Sequence, residues 1–260
     1  IRDAQESRGL GDVYKRQSNS IALDSAGWPH VSYYANDAGR LRYAYYDGSL
    51  WYTETVGSDA GMHSSLALDS SDRPHISYYD SFYGDLKYAY FDGSVWQIRT
   101  LDENGDVGAY TSLALDEDNH PHISYLDDYQ DALKYANYNG SAWRSEIVDD
   151  AGWVNGTTSL ALDGANHPSI SYYSWGGTDG YLRYAHFDGF FWYTETVDTA
   201  GDWGCGGGGN SMALNQFGLP RIAYYDATGG DLKYAFYDGS EWQIQVVDSV
   251  GDVGWGASLA

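Results

Sequence analysis

Five tryptophans stand outside the regularly repeated position in this chain, and four of them, Trp153, Trp175, Trp203 and Trp255, share one kind of surrounding. Each lies in a stretch rich in Asp, Gly and Asn, and the carboxylates Asp106, Asp202 and Asp252 recur in the same kind of stretch. This mixture suits sugar recognition. An aromatic plane stacks on the apolar face of a sugar ring, while a neighbouring carboxylate accepts from its hydroxyls. These residues are the expected ligand-binding set. A structural reading competes with it, in which the Trp side chains cap sheet edges and Asp and Gly simply form turns.

Other residue types suggest cation chemistry. Asp102-Glu103-Asn104-Gly105-Asp106 places oxygen-bearing side chains at alternate positions, as at the start of a calcium loop, which makes Ca2+ a candidate cofactor. The glycine is misplaced, however, no Glu closes the loop, and the equivalent Asp248-Ser249-Val250-Gly251-Asp252 lacks the middle ligand. His30, His75 and His122 share one position after a proline; Ser169 and Arg221 hold it elsewhere, so packing at a strand start explains it better than a ring of metal ligands. Arg42, Lys87, Lys134, Arg183 and Lys233 form a column of cations, expected to pair with a repeated acid such as Asp80 or Asp226. Cys205, the single cysteine, sits in a glycine run and reads as incidental.

All of these residues hang on a repeat. The motif SIAL at Ser20 returns as SLAL at Ser65, Ser112 and Ser159, as SMAL at Ser211 and as SLA at Ser258, at spacings of 45, 47, 47, 52 and 47 residues. A period of this length marks a repeat architecture. Each unit carries four short segments rich in aromatic and branched residues with turn residues between them, for example Ser65 to Asp69, His75 to Tyr79, Leu86 to Phe91 and Trp96 to Leu101. The last two are joined by Asp92-Gly93, a tight-hairpin signal, with Trp96 following; each other unit repeats the pattern. No segment shows a helical period. The expected fold is all-β: a β-propeller of five four-stranded antiparallel blades starting near 18, 65, 112, 159 and 211, with a sixth unit beginning at 258. The ring either closes on five blades or continues into a larger one. Residues 1–17 match no part of the repeat and read as an adaptor-like segment outside the single domain 18–260.

Composition narrows the function. Acidic residues number 37 against 14 basic, a net charge of −23. That excludes nucleic acid, whose phosphates need Lys and Arg, and suits solubility or a saline exterior. No run of 18 apolar residues is present, so no membrane insertion is expected. In a propeller blade the loops from strand two to three share a face with those leading to the next blade. Here that set varies from copy to copy, while the opposite turns are nearly identical. Ligand binding is therefore expected on the variable face. A channel-centred hydrolase needs singleton acids on the innermost strands, and those strands read Ser-Ile/Leu/Met-Ala-Leu in every copy.

The hairpin Tyr45-Tyr46-Asp47-Gly48-Ser49-Leu50-Trp51 and its four copies resemble secreted bacterial and archaeal β-propeller repeats of the broad sialidase-like and fucose-lectin-like group. The resemblance covers about 240 residues. It departs from the sialidase Asp box, Ser-x-Asp-x-Gly-x-Thr-Trp, in spacing, so no sialidase site is carried over. The fucose-lectin side of the resemblance implies sugar pockets between blades. The combined expectation is an extracellular or cell-surface recognition module for glycans. A structural or protein-binding scaffold of a larger surface protein is the alternative, and a glycoside hydrolase comes third.

Overall fold

The computed structural model describes residues 19–35, 39–57, 61–201 and 209–259; the segment 1–17, Asp202, Trp203 and Cys205 lie outside them. Blade one holds β1 (Asn19–Leu23), β2 (Pro29–Ala35), β3 (Arg40–Tyr46) and β4 (Trp51–Thr55). Blade two holds β5 (Gly61–Leu68), β6 (Pro74–Asp80), β7 (Asp85–Phe91) and β8 (Trp96–Asp102). Blade three holds β9 (Val107–Leu115), β10 (Pro121–Asp127), β11 (Ala132–Tyr138) and β12 (Trp143–Asp149). Blade four holds β13 (Trp153–Leu162), β14 (Pro168–Trp175), β15 (Gly180–Phe187) and β16 (Trp192–Thr199). Blade five holds β17 (Asn210–Leu214), β18 (Pro220–Asp226), β19 (Asp231–Tyr237) and β20 (Trp242–Asp248). Each blade is one antiparallel sheet with its strands in chain order, and the whole is a β-propeller. No helix occurs among the described residues.

The turns work as their residues dictate. Asp92 Oδ1 accepts the amides of Ser94 and Val95, and Gly93 takes φ 98°, a conformation costly for any residue with a Cβ. Asp69 Oδ1 accepts the amides of Ser71 and Arg73, so the acid at the end of the Leu-Asp motif closes the first turn.

Blades bury their faces against each other. Leu41, Tyr43 and Val56 of blade one pack on Leu66, Ile76 and Tyr78 of blade two, and the same positions repeat along the chain. Tyr78, Tyr125, Tyr172 and Tyr224 are fully buried there. Each large apolar side chain removed from water contributes about 1.5–3 kcal/mol.

Polar contacts fix the register between blades and explain residues that the repeat keeps. The motif serine accepts from the next blade: the amides of Leu66, Leu113, Leu160 and Met212 donate to Oγ of Ser20, Ser65, Ser112 and Ser159, each at 3.0 Å. In blades two to five the tryptophan after the hairpin stands edge-on to a tyrosine of the preceding blade, as Trp96 does to Tyr43 at 5.3 Å. In blades two, four and five its indole N–H also donates back to that blade: Trp96 to Glu54, Trp192 to Glu146 and Trp242 to Glu195, at 3.0, 2.9 and 3.0 Å.

The cation column pairs with Asp80 and Asp226 as the sequence suggests, at 2.6 Å from Lys87 and 2.7 Å from Lys233. It also does more. Lys134 Nζ reaches Asp102 of the preceding blade at 2.5 Å, Arg183 reaches Asp149 at 3.1 Å, and Lys233 reaches Asp198 at 3.0 Å. A buried tyrosine hydroxyl donates to each of the same three acids: Tyr125 to Asp102, Tyr172 to Asp149 and Tyr224 to Asp198. This latch crosses every junction from blade two to blade five.

The stretches leading from one blade to the next carry more strand than their turn-rich composition suggests: within Asp102 to Thr111 and Asp149 to Thr158 only residues 103–106 and 150–152 are loop, because β9 begins at Val107 and β13 at Trp153. Bulges hide these extensions from the alternation pattern. The register shifts between Met62 and Ser65 and between Asn155 and Ser159, and His63 and Tyr110 take φ 51° and 53°. Trp153 is therefore a strand residue, paired in register with Trp175 at the end of β14.

The inner strands β1, β5, β9, β13 and β17 pack in sequence, each against the next. No comparable packing joins β17 to β1 among the described residues, and the facing sides of blades five and one are open to solvent.

Candidate functional site

The two turns of each blade that look alike from copy to copy border a cavity at each of three junctions. Between blades one and two it measures about 260 Å³, with Tyr45 and Glu54 on one side and Arg73 and Trp96 on the other. Between blades two and three it measures about 210 Å³, with Tyr90 and Arg99 facing His120 and Trp143. Between blades three and four it measures about 400 Å³, with Asn137, Arg144 and Glu146 facing His167 and Phe187. The third and fourth strands of one blade, and the first turn and the two outer strands of the next, place these side chains, so the repeat that builds the blade also builds the cavity.

A buried relay forms the back of each cavity. His75 Nδ1 meets the Tyr88 hydroxyl at 2.5 Å, and its Nε2 lies 3.6 Å from Asp69. His122 meets Tyr135 and Asp116 at the same distances, and His30 is held between the Tyr43 hydroxyl and Asp24 in the same arrangement. Burial holds His75 and His122 below the ordinary imidazole range against the pull of their aspartates. Burial likewise raises the hydroxyls of Tyr43, Tyr88 and Tyr135. Tyr88 and Tyr135 thus stay neutral donors to the neutral imidazoles of His75 and His122, and the relay is a rigid wall. The three histidines are the packing residues their position suggested.

The polar equipment at the mouths differs between cavities. Arg73 is tied to Asp69 at 2.7 Å, whereas Arg99 and Arg144 are exposed and hold no ion pair among the described residues. Asp72 and Asn119 take φ 59° and 64°, a conformation that Asp and Asn tolerate. Asp72 accepts the amide and hydroxyl of Ser25, and Asn119 Oδ1 accepts the amide of Ser70, so each rim is stapled across its junction. Phe190 and Phe191, both strongly exposed, follow Gly189 at the third mouth.

On the opposite face the sequence-predicted residues form separate pairs. Asp106 accepts from the Tyr79 hydroxyl at 2.5 Å, and Asp252 accepts from Tyr225 at 2.7 Å. Trp255 is 52% exposed and lies over Tyr225 at 4.9 Å. Trp153 is 40% exposed and stands edge-on to Trp175 at 5.9 Å. Asp202 and Trp203 fall outside the described residues. Attention to tryptophan alone missed Phe82, Tyr83 and Tyr129, which are the more exposed aromatics here. Beside them, desolvation and the charges of Asp106, Asp127 and Asp131 push the Asp128 carboxyl up to about 6.

The inner strands meet at a further small cavity of about 150 Å³. The bulges turn His63 and Tyr110 into it, with their rings stacked at 4.1 Å, and no carboxylate lines it. Among the described residues no three His, Cys, Asp or Glu side chains gather to hold a metal, and Asp102 of the calcium-like stretch is engaged by Lys134 and Tyr125. No helix there is long and apolar enough to cross a membrane.

No family model matches the chain, and no curated protein matches it. Solved structures do. The Aleuria aurantia lectin in complex with Fucα1-6GlcNAc is 16% identical and superposes with a TM-score of 0.62, over 92% of this chain and 81% of its own. A PL25 ulvan lyase bound to a GlcA(1-4)Rha3S chain is 12% identical with a TM-score of 0.63, over 95% and 72%. A protein of unknown function from Dyadobacter fermentans is 11% identical with a TM-score of 0.58, over 90% and 83%. At these identities, what the chain shares with all three is the β-propeller fold.

Proposed function

We propose that this chain is a multivalent carbohydrate-binding module acting outside the cell or at its surface, with its sugar sites in the cavities between successive blades. The observation that carries this reading is the recurrence of one aromatic-walled cavity, with polar groups at its mouth, at three junctions. Repetition of an equivalent site suits avidity, because weak sites on one rigid body add without any single optimal contact. A sugar ring laid on Tyr45 or Tyr90 keeps its hydroxyls within reach of Glu54, Arg73 or Arg99. Fold likeness to lectins supports the reading; likeness to a lyase shows that the same scaffold also hosts catalysis. We take the chain as a binder because its inner strands keep Ser-x-Ala-Leu in every blade and no carboxylate lines the axial cavity.

The opposite rim offers a second sugar-facing surface: Trp153 and Trp175 on blade four, and Asp106, Asp252 and Trp255 beside the second-strand tyrosines. One experiment separates the two. Isothermal titration with the best ligand from a glycan array is run on the wild type, on Tyr90→Ala with Arg99→Ala, and on Trp153→Ala with Trp255→Ala. Loss of one site per chain in the first double variant supports the inter-blade reading. Loss only in the second moves the site to the rim, and no binding by folded wild type refutes both.

A further inference from the structure

We propose that the open sector between blades five and one is the seat of a sixth blade of this same repeat, entering in cis as the continuation of Ser258-Leu259. Four features of the junctions, all repeated elsewhere, stand half-made at this sector.

The first is apolar. Leu66, Leu113, Leu160 and Met212 face the preceding blade and are between 6% and 8% exposed; Ile21, their counterpart in blade one, is 65% exposed. Tyr33 and Val31 are only half-buried where Tyr78 and Ile76 are fully buried. On the far side Val247 is 60% exposed, and Leu232 and Tyr234 are half-buried where Leu86 and Tyr88 are buried.

The second is the latch. Asp102, Asp149 and Asp198 each grip a tyrosine and a cation of the following blade, whereas Asp248 is exposed and, among the described residues, accepts only the amide of Val250. Across the sector Arg42, the cation of blade one, turns to the Glu54 carbonyl and Thr53 of its own blade. The third is the indole clasp. Trp51 is 54% exposed, with neither the tyrosine edge contact nor the acid of a preceding blade that Trp96, Trp192 and Trp242 have.

The fourth shows which way the missing blade enters. The Leu259 amide donates to Ser211 Oγ at 3.0 Å, the same bond that opens blades two to five. The chemistry of the occupant follows. It must present a tyrosine and a Lys or Arg to Asp248, an aspartate to Arg42 and Tyr33, and a glutamate to Trp51. That set is carried by this repeat itself; blade three has it as Tyr125, Lys134, Asp149 and Glu146. Closing the ring this way would also create two more junctions of the kind that hold the cavities.

The test appends a copy of residues 115–158 directly after Ala260. The expected product is a monomer by light scattering whose added blade resists protease and whose Tm rises by at least about 5 °C. Asp248→Asn in that chain should remove much of the gain. An unchanged Tm with a protease-labile extension overturns the proposal. So does a dimer of the unextended chain that shields β1 and β20 from hydrogen exchange, since a second copy would then cover the sector. A measurement independent of the graft is exchange on the 260-residue chain alone. Amides of β1 and β20 should exchange at least about 100-fold faster than those of β6 and β10, and equal protection contradicts an open sector.

Discussion

The inter-blade latch is the feature most open to a quantitative test, because the same aspartate occurs both engaged and idle. Asp102 is buried with Lys134 at 2.5 Å and the Tyr125 hydroxyl at 2.9 Å; Asp248, at the equivalent place, is exposed with neither. Removing one member of a buried pair costs about 3–5 kcal/mol, because the remaining charge is stranded. Asp127, 3.4 Å from the same Lys134, keeps part of that charge matched, so Asp102→Ala should cost about 2–4 kcal/mol. For a domain of this size that lowers Tm by about 5–12 °C. Asp248→Ala should stay within about 0.5 kcal/mol of wild type. In a Lys134→Met background, removal of Asp102 should cost less by at least about 1 kcal/mol, since no cation is left stranded. Urea unfolding and thermal melts read all of these. The sign of the pH effect is also fixed. Burial works against the Asp102 charge, but Lys134 and Tyr125 outweigh it and hold the carboxyl below its ordinary 3.8. The contribution is therefore present at neutral pH and disappears only as pH falls below about 4. Equal costs at Asp102 and Asp248 would refute the latch as a source of stability.

Other expectations follow from single contacts. Trp143 faces Arg99 where its counterparts face a glutamate, so Arg99→Glu should supply the missing indole acceptor and stabilise by about 0.5–1 kcal/mol in urea melts. His75 and His122 are held neutral by burial, so the unfolded chain binds protons first and stability should fall as pH drops through 6.5; replacing both by Gln should flatten that part of the curve. Asp128, raised to about 6, acts in the opposite sense: Asp128→Asn should stabilise at pH 7, with the difference fading towards pH 4. At Gly108, φ is 101° and an added Cβ would meet Leu86 Cα at 2.6 Å, so Gly108→Ala should cost at least about 3 kcal/mol. Gly93→Ala, in open space at φ 98°, should cost only about 1–2 kcal/mol by the same melt.

The parts of the fold legible in the sequence are those written locally. Asp92-Gly93 and Asp69 with Pro74 announce their turns within a few residues, and the four-segment period follows. The parts that stayed hidden join residues of different blades. Ser65 accepts from Leu113, and Trp96 donates to Glu54, 48 and 42 residues apart, and no local pattern marks either pairing. The inner-strand extensions escaped because the bulges at His63 and Tyr110 break the alternation that marks a strand. The cavities were invisible for a related reason. Each is shared between two blades, and its variable positions, Glu54 against Arg99 and Arg73 against His120, sit within or beside turns that otherwise look uniform. Variation in the opposite loops was the stronger signal, and it drew the expectation to Asp106, Trp153 and Trp255.

The central claim is that the repeated junction cavities bind sugars. Its most direct test is a glycan array on the folded chain, followed by titration calorimetry of the strongest hit to count sites. The account predicts saturable binding with more than one site per chain, and a drop in that number when Tyr90 and Arg99 are both changed to Ala. A cooperatively folded protein that binds no glycan, or one whose site number is untouched by those changes, would contradict it.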